Sequence, residues 1–399
     1  MILSDSFFDF ISAHLGDDPT RLLLSPPKGW KEDSLKFAVL QITLRKKFAG
    51  KFPRLLANPR FLLPDRSVGE QASSEATASY LSFITSEVQT VVDLTTGLGV
   101  NAISFARSAK RVTAIELSEE RADILRHNLK ELCMDNIDVV TADCRNWLDS
   151  CELHYDLAFI DPARRDGKGV RSIALENYEP DVVKLLPAIK RRANRLLIKV
   201  SPLFDMEKAL REIPEITAFH LIEYRGECKE LILDIDFKRK VDRLIIRCVE
   251  VFDGAPPKIK TFPYGTDNWT EYDYLVKSAA EITPVMIIYI PSAGLRKARV
   301  VDKLLLQYPD LNILSHNTML LVGTDVYADF PGKKLRIETI LTKKDLATLK
   351  GTHCNVISRN YPLSSEDITK RYRLLPSGPN YLIATTVESS KLLLFCTEI

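Results

Sequence analysis

A chain of 399 residues exceeds one ordinary hydrophobic core, so two or three domains are expected. Its 45% hydrophobic and 27% charged residues fit packed globular domains rather than a disordered or fibrous chain, and a formal charge of +2 decides nothing by itself. No apolar run approaches the ~18 residues of a membrane span. MILSDSFFDFISAHLG carries Asp5 and Asp9 where a signal peptide wants a basic start and an unbroken apolar stretch. Seven cysteines without C-x-x-C spacing point to neither a zinc site nor a disulfide framework, so no metal is expected and a reducing, cytoplasmic setting is.

Residues 1–66 read as mostly helical, with apolar positions at helical spacing in SLKFAVLQITLRKKFAGKFPRLL and breaks at Pro53, Pro59 and Pro64. Positions 28–66 hold ten Lys or Arg against Glu32, Asp33 and Asp65. Ser67 and Glu70 have capping-box spacing, and with SSEATASYLSFI they predict a helix entering a second domain. From Thr90 the pattern becomes short apolar runs, TVVDLTT, RVTAIEL, IDVVTAD, YDLAFIDP and RLLIKVS, alternating with helix-like stretches at 101–109, 119–132, 178–190 and 205–213. That alternation predicts a parallel sheet covered on both faces. ITAFHLIEY and ELILDIDF are joined only by RGECK, too short for a crossover helix, so an antiparallel hairpin is expected.

Beyond about residue 240, DRLIIRCVEVF reads as a further strand, PPKIKTFPYGTDNW as a turn-rich link, and 284–323 as a βαβ-like piece. The remainder mixes short strands and helices, and residues 333–373 carry ten basic against four acidic residues. The resulting partition is a helical region at 1–66, an α/β domain at 67–240, a linker and small module at 241–323 and a basic domain at 324–399.

The first strand of the α/β domain ends in Asp93-Leu94-Thr95-Thr96-Gly97-Leu98-Gly99 before a helix. Gly97, Gly99 and Ala102 also match the dinucleotide fingerprint G-x-G-x-x-G/A, with Glu116 about twenty residues on. Three features favour S-adenosylmethionine (SAM) instead. Asp93 stands four residues before the first glycine, where a carboxylate holds the cofactor's ammonium end through the Thr95 loop. Glu116 closes the second strand and accepts from both ribose hydroxyls, and Asp143 closes the third and pairs with the adenine amine. With Asp161, four acids sit at the C-terminal ends of four successive strands, where ligands bind in open α/β sheets. Any single acid there also serves as a helix N-cap.

The run Val91–Arg165 resembles class I SAM-dependent methyltransferases. QASSEATASY, DLTTGLGVNAISFA, FIDPARRD, RGECKEL and NVISRNYPLSSEDITKRYRL…YLIATT resemble, more narrowly, a bacterial methyltransferase family with a C-terminal THUMP-like domain preceded by a ferredoxin-like module. The resemblance implies a Rossmann-like class I methyltransferase sheet ending in an antiparallel hairpin, an N-terminal helical region, C-terminal α+β ferredoxin-like and THUMP-like modules, and RNA as substrate and partner. In many THUMP enzymes that unit precedes the catalytic domain, whereas here it follows.

Asp161-Pro162-Ala163-Arg164 stands where amine methyltransferases carry Asn or Asp, Pro, Pro and an aromatic ring. Ala163 and Arg164 depart from that pattern. The tetrad is also similar to the Asp-Pro-Pro-Arg of uracil C5 methyltransferases, which need a cysteine after the next strand where this chain has Lys199-Val200-Ser201-Pro202. Asp161 is the candidate contact to the methyl acceptor, orienting an N–H or taking its proton. Arg164, Arg165, Lys168 and Arg171 form a basic loop suited to phosphate, and Lys199 reaches the site or is a structural lysine. Lys370, Arg371 and Arg373 are the candidate RNA contacts of the C-terminal domain. The six histidines are isolated and receive no role. The rival readings are a methyltransferase of a protein or small molecule, and a non-catalytic RNA-binding protein with a SAM-like pocket.

Overall fold

The computed structural model describes residues 4–399 except 25–26, 165–174, 240–242, 266–273, 277 and 343. Two compact units divide the chain, Met1–Thr261 and Phe262–Ile399.

The first unit begins with helices at Asp5–Ala13, Pro19–Leu24, Glu32–Phe48, Pro53–Ala57 and Arg66–Gln71. Part of the basic excess of this region turns inward. Arg45 is buried, and its guanidinium donates to the carbonyls of Leu56, Asn58, Pro59 and Phe61 at 3.1, 3.1, 2.7 and 2.6 Å, bracing the proline-broken segment. Gln41 exchanges two hydrogen bonds with the backbone of Leu63, and Asn128 exchanges two with that of Leu62. The helical region is thereby fastened to helix Glu119–Glu131 of the α/β layer. The capping box expected at Ser67 and Glu70 does not form. Asp65 caps Arg66–Gln71 through the Val68 N–H at 2.9 Å, and Glu70 pairs with Lys47 and Arg66. A separate helix, Glu75–Ile84, starts at Ser74, whose hydroxyl accepts from the Thr77 N–H. A carboxylate two residues before Ser67 starts the helix earlier and carries charge, so it takes the cap.

The central sheet contains β1 (Thr90–Asp93), β2 (Arg111–Glu116), β3 (Ile137–Thr141) and β4 (Tyr155–Ile160). After β4 a two-residue ladder joins β5 (Ala163–Arg164) and β6 (Tyr178–Glu179) outside this sheet. The chain returns as β7 (Ala193–Val200), β8 (Ala218–Tyr224), β9 (Glu227–Asp236), β10 (Ile245–Phe252) and β11 (Ala255–Pro263). Their order is β11-β10-β8-β9-β7-β4-β1-β2-β3. β3, β2, β1, β4 and β7 run parallel, and the apolar runs of the inner strands are buried on both faces, as in YDLAFI of β4, whereas the edge strand β3 is mostly half-buried. The expected hairpin is formed. β8 and β9 turn at Arg225 and Gly226, both with positive φ (53° and 79°), and β9 lies antiparallel between β7 and β8. β10, parallel to β8, and β11 extend the sheet further.

In the second unit β12 (Ile287–Pro291), β13 (Asn312–Ile313), β14 (Leu321–Gly323), β15 (Gly332–Ile340), β16 (Asn355–Ser358), β17 (Asn380–Val387) and β18 (Ser390–Glu398) form one sheet, ordered β13-β14-β12-β15-β18-β17-β16. Strands from 287–323 and from 332–398 share it, because β12 pairs antiparallel with both β14 and β15. β14 therefore does not return parallel to β12, as a βαβ crossover would. Among the described residues no helix is long and apolar enough to cross a membrane. All seven cysteines are free thiols.

Candidate active site

The parallel strands deliver their acidic ends to one edge of the sheet. At the end of β1, Asp93 is 1% exposed. Its Oδ1 accepts the Thr95 N–H at 3.2 Å, while its Oδ2 is buried without a hydrogen-bond partner among the described residues. Burial, with Asp161 and Glu116 nearby, pushes the Asp93 carboxyl up to about 7. Glu116, at the end of β2, accepts the Gly97 N–H at 2.8 Å on one oxygen and the Ser118 N–H at 2.9 Å on the other. This bond holds the glycine loop against the second strand. The Thr95 hydroxyl accepts the Asp161 N–H at 2.7 Å, which locks the end of β4 to the same loop.

The two glycines have different duties. Gly97, at φ +57°, has open space where a Cβ would stand, so the backbone is accessible there to a ligand. Gly99, at φ +86°, would place a Cβ 2.4 Å from Cδ1 of buried Leu125. Gly99→Ala is therefore expected to destabilise the protein by about 1–3 kcal/mol through strain and overpacking, read as a lower thermal midpoint.

Asp161 is met from the next strand. The Lys199 Nζ, on β7, lies 2.5 Å from Asp161 Oδ2 and 4.0 Å from Glu230 Oε1 of β9. Burial alone would lower the Lys199 ammonium, but Asp161, Glu230 and Asp93 more than reverse this and hold it above its ordinary value. Lys51, from the N-terminal region, belongs to the same field. Burial and the Lys199 charge bring its amine down to about 8, against the opposing pull of Glu230, Glu70 and Asp161.

Asp93, Thr95, Gly97, Gly99, Glu116, Asp161 and Lys199 are thus brought together. Asp143 is engaged otherwise. It caps helix Cys144–Ser150 and is clasped by the Arg145 guanidinium, with Nη2 at 2.5 Å, which lowers its carboxyl. An adenine amine would have to share that carboxylate with Arg145. Arg164 lies in β5, paired by its backbone with Tyr178, whereas Arg165, Lys168 and Arg171 lie outside the described residues. In the second unit Lys370 and Arg371 stand in helix Ser365–Tyr372 and Arg373 caps its end with φ 51°. Lys370 lies 3.9 Å from Glu366, and Arg371 lies over the Tyr372 ring.

Sequence alone gives Glu230, Thr77 and Lys51 no role. Glu230 stands within RGECKEL and Thr77 within QASSEATASY, but no strand end or spacing points to a partner for them. A cavity of ≈ 1010 Å³ elsewhere in this unit is lined by Tyr80, Arg195, Asp234 and Arg247 among others. Its buried charge is saturated internally, since Asp234 accepts from Arg195 at 2.8 and 2.7 Å and lies 3.1 Å from His220, so it reads as structural.

Comparison with known proteins agrees with this geometry. Residues 88–179 match the family model described as RNA cap guanine-N2 methyltransferase, and residues 332–398 match the one described as THUMP domain-like. The first unit has the class I methyltransferase fold. A candidate methyltransferase from Porphyromonas gingivalis W83 superposes on the whole chain, covering 100% of each at 24% identity with a TM-score of 0.83. An rRNA methylase from Streptococcus thermophilus shares 18% identity over 39% of this chain and 95% of its own, with a TM-score of 0.30. A candidate methyltransferase from Streptococcus mutans, in complex with SAH, shares 15% over the same fractions, also at 0.30. No curated protein matches the sequence. Within the methyltransferase unit, the matched span runs from before β1 through β6 and so includes Asp93, Glu116, Asp143 and Asp161.

Proposed function

We propose that the protein is a cytoplasmic, SAM-dependent methyltransferase that modifies a base of tRNA or rRNA. The observation that carries the cofactor reading is Asp93, a buried carboxylate with one unpartnered oxygen beside a glycine loop. An ammonium group completes such a carboxylate, and SAM presents one. Glu116 keeps lone pairs for two ribose hydroxyls after accepting the two backbone N–H groups. Leu117, 70% exposed at the end of β2, offers an apolar face that an adenine ring would cover. The donor set therefore fits the cofactor. SAM supplies an activated methyl group when bound, so this chain's residues have chiefly to align the acceptor. Asp161 is the group that meets it.

RNA as the acceptor is supported by the two family-model matches and by the basic excess over residues 333–373. Incubating the protein and labelled SAM with total RNA from cells lacking its gene, followed by nucleoside mass spectrometry, tests the reading directly. A labelled nucleoside is expected. Label appearing only in protein or a small molecule would replace RNA by that acceptor. The C-terminal contribution is checked separately. RNA affinity is expected to fall by about 0.7 log units per log unit of salt for each single-strand phosphate contacted, and reversing Lys370, Arg371 and Arg373 to glutamate is expected to flatten that slope. These side chains are mostly exposed, so the reversal leaves the fold intact.

A further inference from the structure

The acceptor side of the site is built in layers. Ile160 of β4 is in register with Ile198 of β7, which sets Asp161 beside Lys199. Across the antiparallel β7–β9 pair Lys199 faces Ile232, so Glu230, two residues away, lies diagonal to Lys199 on the same face. Helix Glu75–Ile84 supplies Thr77, whose hydroxyl donates to Glu230 Oε1 at 2.8 Å. The chain of contacts runs Thr77, Glu230, Lys199, Asp161, from interior to acceptor.

We propose that Glu230 is a positioning residue for methyl transfer: it holds the Lys199 ammonium in place, and Lys199 in turn fixes the Asp161 carboxylate that meets the acceptor. This rests on the reading of Asp161 given above. Two observations separate this role from plain structural support. First, Lys199 and Glu230 are 8% and 5% exposed, and an apolar pair of similar volume would fill that face without any desolvation cost. Second, the cluster is not saturated. Glu230 Oε2 is buried without a hydrogen-bond partner among the described residues. A bridge present only for stability is normally satisfied on every atom. The charged groups in the field of Lys199 are Asp161 from the end of β4, Glu230 from β9, Asp93 from β1 and Lys51 from the N-terminal region. Removing Glu230's charge leaves two ammonium groups in mutual repulsion, with Lys199–Asp161 the close ion pair that remains to Lys199 among the described residues.

Glu230→Gln, made in the full chain, tests the relay because it keeps shape and changes charge. Carbon-labelled lysine followed by NMR reads the Lys199 titration without any acceptor, with Lys51→Arg used to tell the two amines apart. Loss of an opposing charge at this distance is expected to move that titration down by about 1–3 units. SAM affinity is expected to stay within about twofold and turnover to fall by on the order of 10–100-fold with little change in KM, as for a misplaced reacting group. The alkaline limb of the rate profile moves down with the Lys199 titration, and Glu230→Asp restores part of both. An unmoved Lys199 titration overturns the proposal, and so does a moved titration with an unchanged rate profile. Failure of the RNA reading itself shows separately, as absence of transfer to RNA by the unaltered enzyme.

Discussion

Asp161→Asn is expected to lower the rate of methyl transfer by on the order of 100-fold or more while SAM affinity changes by less than about twofold. The split follows from where the side chain sits. The cofactor contacts are assigned to β1, the glycine loop and β2, whereas Asp161 follows β4 and is joined to that loop only through its backbone N–H on the Thr95 hydroxyl. Lys199 occupies Asp161 Oδ2, which leaves Oδ1 for the proposed acceptor contact. Asparagine keeps the size of the side chain but gives up the charge that pairs with Lys199. Because Lys199 is buried, some loss of stability accompanies the change, about 1–3 kcal/mol. Single-turnover measurements with labelled SAM, at a temperature well below the variant's thermal midpoint, separate the chemical step from that loss. An undiminished rate would leave Asp161 as a counter-charge for Lys199 and nothing more.

The second large effect concerns pH. With its carboxyl pushed up to about 7, Asp93 is mostly protonated in the free protein below neutrality. An ammonium bound beside it favours the ionised form, so SAM binding below that pH releases a proton. Affinity is then expected to rise by about tenfold per pH unit up to about pH 7 and to level off above it. The cofactor's own amine loses its proton near pH ~8, which ends the plateau. Asp93→Asn is expected to remove the slope and weaken binding by about 10–100-fold, the value of a charge-assisted hydrogen bond. Calorimetry in buffers of different ionisation enthalpy counts the released proton. Binding that is independent of pH in the unaltered protein would remove Asp93 from the cofactor site. The same shift bears on stability. Asp93's folded-state value lies above its unfolded one, so its contribution is fully present at acid pH and is lost as pH rises through about 7.

Local pattern in the sequence carries the burial of the strands and the placement of the acids. Continuous apolar runs separated by helical periods specify buried parallel strands, and an acid at the end of such a run is placed at the ligand edge by strand polarity alone. The places of Asp93, Glu116 and Asp161 at the ends of β1, β2 and β4 were legible for that reason, as was the β8–β9 hairpin from its short link. Partner choice at those acids depends on the fold where the partners are distant. Asp143 and Asp161 occupy equivalent strand ends, yet Asp143 is clasped by Arg145 and Asp161 by Lys199. Arg145 is two residues from Asp143 and reaches it locally, whereas Lys199 meets Asp161 because β7 lies beside β4, and the insertion of β9 beside β7 is a non-local pairing that no periodicity encodes. Glu230 lies 31 residues from Lys199 in the chain and Thr77 lies 153 from Glu230, and they meet because an antiparallel register and a covering helix bring them to one face. Arg45 and Lys51 look like any surface cations in a basic stretch. Burial against carbonyls and charges contributed by distant segments gives one a structural role and the other a place in the field of Lys199, Glu230 and Asp161.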